Sequence, residues 1–123
     1  MAVMQSRDNR TEIAGADLSS AQWKFVTLEA GGNVIVADAA GEQAYGVCIV
    51  PAASGKPVTV VRSGQVMVEA GGTIAAGAAV QTGADGTALA AASGDVVMGY
   101  AKEAGVDGQI IRIELITGGN VVA

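Results

Sequence analysis

The chain has 123 residues, half of them apolar but only 3% aromatic, and a net charge of −5, which describes one domain with a thin core. Without histidine and with a single cysteine it lacks the usual ligands of a zinc or other transition-metal site and has no disulfide framework. Scattered Lys and Arg in an acidic background exclude a nucleic-acid surface, and the longest uncharged interval, residues 70–84, falls short of the roughly 20 apolar residues of a membrane helix.

Residues 1–20 are polar, carry Arg7, Asp8, Arg10, Glu12 and Asp17, and show no sustained apolar period. They read as an N-terminal arm, mobile in isolation, with no apolar run of signal-peptide length. Asp17-Leu18-Ser19-Ser20 is either the cap of one helical turn or a lead into the first strand, Trp23 to Leu28. Val and Ile total 25 against four Leu, and 18 glycines recur beside Asn, Asp, Ser and Thr, which is the punctuation of many short strands. The single domain then spans 21–117. A turn at Gly32, a strand ending in small residues, a Gly41-Glu42 turn, a strand through Gly46, a loop with Gly55 and an alternating strand Val58 to Arg62 make its first half.

Residues 64–79 read as a connector, with bends at Gly71, Gly72 and Gly77 and inward anchors at Ile74 and Val80. The second half repeats the first. Val26, Gly32 and Ala37 meet Val80, Gly86 and Ala91 at an offset of 54, and Gly46, Gly55, Val58 and Val60 meet Gly99, Gly108, Ile111 and Ile113 at 53. The duplicated halves are thus about 26–62 and 80–115, and 118–123 is a C-terminal tail. Strand alternation sends Arg62, Arg112 and Glu114 toward water or a neighbouring subunit. Since 24 of the apolar residues are Ala, the core removes little area from water, and burial in a homo-oligomer is the expected remedy.

Nucleophilic catalysis has no histidine base. Ser54 and Lys56 flank Gly55 in a proline-bounded loop and read as solvated loop residues, and Cys48 lies in the apolar run Val47-Cys-Ile-Val50 as an inert core thiol. Asp85 before Gly86 is turn chemistry, not a calcium loop. "AGGTIAAGAAV" has no Lys for a phosphate loop. A lipoyl or biotinyl carrier needs a lysine displayed at a tight turn, and near Met67 the closest are Lys56 and Lys102. No cofactor is expected, and no enzyme.

The Gly46-Val47 strand start with its following Pro-Ala loop, the "AGGTIAAGAAV" connector, the "ADGTALAA" hairpin and "GDVVMGYAKEAG" come in an order that resembles tailed-bacteriophage capsid cement, or head decoration, proteins over roughly Ala16 to Leu115. The resemblance implies an all-β fold, a small β-clip or β-tulip-like sandwich or partial barrel, with the duplication and an extended N-terminal arm. It implies a virion protein made in the host cytoplasm that binds the outer surface of the expanded icosahedral head. Trimers at threefold or quasi-threefold axes would bridge major capsid protein subunits and stabilise the shell. Under this reading the capsid contact falls on the arm, at Ser6, Arg7, Asp8, Asn9, Arg10, Thr11, Glu12, Ile13, Asp17 and Leu18. Trp23, Phe25 and Tyr45 anchor the core or the subunit interface. A tail or baseplate β module is the first alternative from the same composition, and a lipoyl- or biotinyl-like carrier domain the second.

Overall fold

The computed structural model describes residues 5–92 and 96–116, with side chains from Asn9 onward. Nine strands form: β1 Gln5–Ile13, β2 Lys24–Leu28, β3 Val34–Val36, β4 Gly46–Val50, β5 Pro57–Glu69, β6 Ala79–Thr82, β7 Ala88–Ala90, β8 Gly99–Ala101 and β9 Ile110–Leu115. The described residues hold no helix, so the expectation of an all-β chain stands. Asp17 makes a turn: its carboxylate accepts from the Ser19 amide at 3.1 Å and the Ser19 hydroxyl at 2.7 Å.

All strand pairings are antiparallel, along the path β3-β2-β4-β5-β9-β8-β6-β7, with β1 also on β5. The path is a palindrome of the duplication, β3-β2-β4-β5 against β7-β6-β8-β9. Registers repeat as well. Val26 pairs with Val36 and Gly46, and Val80 pairs with Ala90 and Gly99. Cys48 opposite Val60 recurs as Ala101 opposite Ile113.

The repeat extends further toward the N-terminus than Val26. Arg10, Thr11 and Glu12 of β1 face Val60, Thr59 and Val58, and Val66, Met67 and Val68 of β5 face Ile113, Arg112 and Ile111 in the same register. Ala14 bridges Val34 in parallel and Ala70 bridges Ala88 in the same way. The Leu18 amide donates to the Ala52 carbonyl as that of Ile74 does to Gly105. The polar segment expected to be a free arm and the segment expected to be a connector are therefore one element occurring twice. The first copy is a nine-residue strand laid on β5, and the second is the far half of β5 itself. Gly64, with φ of 98°, lies within β5 where β1 and β9 both pair with it. Residues 1–4 of the expected arm and the tail 118–123 lie outside the described residues.

Packing follows the repeats. Ala14, Leu18, Val26, Val34, Cys48, Val58 and Val60 form the first core, and their counterparts Ala70, Ile74, Val80, Ala88, Ala101, Ile111 and Ile113 form the second. The second cluster also takes in Phe25, Ala37, Ala44, Val47 and Val61 from the opposite face of the first repeat. One repeat thus closes the core of the other.

Gly46 and Gly99, matched at offset 53, are required for close approach. A Cβ at Gly46 would enter the Val61 carbonyl oxygen, and one at Gly99 the Glu114 carbonyl oxygen. Gly32, Gly55, Gly77, Gly86 and Gly108 sit at turns with positive φ, whereas Gly71 is held without a side chain by Thr87 and Gly72 lies beside Leu89. The counterpart of Gly77, whose amide donates to Ala101, is Trp23, whose amide donates to Cys48. Trp23 also has φ of 68°, the one described non-glycine residue in that region.

These geometries separate two kinds of glycine. Nothing lies within 4 Å of a Cβ at Gly77, so Gly77→Ala should cost only the backbone term, roughly 1–2 kcal/mol in denaturant unfolding. Gly46→Ala must displace a β-ladder and should cost about 3 kcal/mol or more. Cys48 is fully buried and desolvation pushes its thiol up to about 11, so a thiol reagent at pH 8 should modify it only after unfolding.

Candidate functional site

The first repeat carries a polar cluster on the face where the second repeat is apolar. β1 places Glu12 and β5 places Arg62 on either side of Tyr45, which leads into β4. The Tyr45 hydroxyl donates to Glu12 Oε2 at 2.6 Å, Arg62 Nε donates to the Tyr45 carbonyl at 3.1 Å, and the guanidinium carbon stands 4.4 Å from the ring centroid. Burial, then the bond to the Glu12 carboxylate, raises the Tyr45 phenol above its ordinary value near 10, while Arg62 and Arg10 pull it back. Tyr45 stays a neutral donor at physiological pH.

Beside this cluster opens a cleft of about 500 Å³, bounded by Leu28, Ile35, Asp38, Glu42, Tyr45 and Arg62 among others. Leu28 is 51% exposed at its mouth. The matching position in the second repeat is filled, because the Gly41 amide donates to the Thr82 carbonyl and the Gly41 carbonyl accepts from the Val96 amide. A second, apolar cleft of about 310 Å³ lies between residues 73–75 and 104–109.

Two further pairs lie on and beside β9. Arg112 Nε donates to Glu103 Oε2 at 2.9 Å, which holds that carboxyl below its ordinary value, and Lys102 Nζ donates to Gln65 Oε1 at 2.8 Å and lies 3.9 Å from Glu114. Arg112 and Glu114 remain partly exposed, as alternation predicts.

The other expected site residues scatter. Asn9, Arg10, Thr11, Ile13 and Asp17 are exposed, Glu12 is half-buried, and the side chains of Ser6, Arg7 and Asp8 lie outside the described residues. Leu18, at 1% exposure, is core and not surface. Phe25 is fully buried between the repeats, and Trp23 and Tyr45 are half-buried. Ser54 and Lys56 are exposed loop residues. Asp85 accepts from the Thr87 hydroxyl and from its amide, which lowers its carboxyl as turn chemistry requires. Among the described residues no group of His, Cys, Asp or Glu could hold a metal ion. Sequence reasoning missed the cleft, because Thr27, Leu28 and Ile35 look like any half-buried strand residues; the apolar-to-charged exchange between repeats at Leu115 and Arg62 was the available signal.

Among the described residues the arrangement offers contact surfaces. No curated protein matches the chain. Among solved structures, the N base of the head fiber gp8.5 of bacteriophage phi29 is similar in fold, with a TM-score of 0.72 over 92% of this chain and 97% of that one, at 21% identity. The model of the phage cement proteins matches residues 18–115, which includes all but the first of the nine strands, and the chain belongs to that family.

Proposed function

We propose that this phage cement protein coats the outer surface of the expanded head as a homotrimer, at threefold or quasi-threefold positions, and bridges major capsid protein subunits. Membership of the family carries the head-structural, non-enzymatic part of this reading. What supports a surface contact through the N-terminal segment is β1. It pairs along one edge with β5, and no other strand among the described residues covers its outer edge. An uncovered edge strand is a template for a further extended chain. Its exposed side chains Asn9, Thr11 and Ile13 lie on the face opposite Arg10 and Glu12, and Ile13, 41% exposed, offers an apolar anchor. Each contact can be modest, because copies joined in an oligomer engage several equivalent joints at high effective concentration. Binding only the expanded shell then stabilises it by linkage.

The test is to mix the purified chain with undecorated expanded heads and image them by cryo-electron microscopy. Regular density on the outer surface is expected, and bare heads would refute the reading. Deleting residues 1–15 is a poor probe of the contact, because it strips β1 from β5. Ile13→Asp with Thr11→Lys changes only exposed side chains and should lower head occupancy at least about tenfold while leaving thermal unfolding within a few degrees.

A further inference from the structure

The contact between the two repeats is one-directional. The first repeat presents Phe25, Val47 and Val61 together with the loop around Gly41, and the second receives them on Val66, Met98 and Leu115 and between Thr82 and Val96. A reciprocal contact would use the same faces on both partners, and here it does not. Each chain is therefore left with one unused presenting face, on the second repeat, and one unused receiving face, on the first.

The register identifies both. The presenting face that remains holds Ala79, Tyr100 and Glu114, counterparts of Phe25, Val47 and Val61. The receiving face that remains holds Arg10, Tyr45 and Arg62, counterparts of Val66, Met98 and Leu115. The open cleft at Leu28 is the counterpart of the place that the Gly41 loop occupies beside Thr82.

We infer that a second copy of this chain docks here, its Tyr100–Glu114 face on the Arg10–Tyr45–Arg62 face, beside the open cleft at Leu28. The receiving face also carries Glu12, held by the Tyr45 hydroxyl, so the charge match is local: Glu114, 3.9 Å from its own Lys102, against Arg10 and Arg62. Where the contact within the chain gathers Val61, Val66 and Leu115 into one apolar cluster, the contact between copies sets Glu114 among Arg10 and Arg62. Tyr100, 45% exposed, replaces Val47 and meets Tyr45 in place of Met98. An apolar contact within the chain becomes a polar, charge-matched one between chains, which suits an interface whose two sides must stay soluble before they meet. Because the contact is head-to-tail, repeats of the two kinds alternate from copy to copy, and the closed trimer of the proposed function is the ring that such a contact forms when its rotation closes in three steps.

This inference deepens the self-association part of the proposed function and is separable from head binding. The full chain is weighed by analytical ultracentrifugation across a dilution series. The unchanged chain should be heavier than a monomer. Arg62→Glu and Glu114→Arg should each weaken association at least about tenfold, and the two together should recover most of it. Leu28→Arg, at an exposed position in the cleft, should weaken association without lowering the melting temperature, which guards against misfolding at Arg62. A monomeric unchanged chain, charge reversals without effect, or a double variant no better than the weaker single would overturn the interface. A monomer that still coats heads sinks this interface alone; a charge-rescued oligomer that leaves heads bare sinks the cement reading alone.

Discussion

Everything in this molecule depends on how a chain with few large side chains excludes water from two small cores. The first repeat lays Phe25, Val47 and Val61 over the second core, so each of these side chains supports a strand in one repeat and a lid on the other. Burial of that kind is efficient when aliphatic groups are short, because both faces of one sheet lose contact with water. It also forces the strands together. The ladder meets a neighbouring carbonyl at Gly46 and at Gly99, and only a residue without a Cβ fits at either place.

The same constraint accounts for the chemistry on the surface. Two repeats of one fold present equivalent positions with opposite characters: Val66, Val68, Met98 and Leu115 are buried, whereas Glu12, Tyr45 and Arg62 form a hydrogen-bonded polar cluster whose phenol also feels the charge of Arg10. A duplicated unit that kept apolar residues at both would expose a sticky face. Here polarity marks which face has been covered within the chain, and nothing in the clusters calls for bond-making chemistry.

Sequence reading reached the β class, the offset of 53 and the strands from Val26 to Val60 and from Val80 to Ile113, since glycines needed for close approach keep their spacing. It did not reach the first strand. β1 is exposed at Asn9, Arg10, Thr11 and Ile13, so no alternation of apolar and polar residues betrays it, and a partner strand, not its own pattern, orders it. Nor could the offset reveal its likeness to the far half of β5. Ser19 and Ser20 have no counterparts before Ala75, so the offset there becomes 56 and the apolar Val66 and Val68 align with Arg10 and Glu12. Leu18 was misplaced on the surface for a related reason: its polar neighbours conceal that it plays the part of Ile74.

β5 is the one element that belongs to both repeats. Thirteen residues run from the ladder with β1 and β4 into the ladder with β9 without an intervening loop. A force that pulls the two halves apart is therefore carried by covalent backbone, and the hydrogen bonds beside it are loaded in parallel along the strand instead of being opened singly from an end. A body built in this way resists stretching between its repeats as a tie rod does.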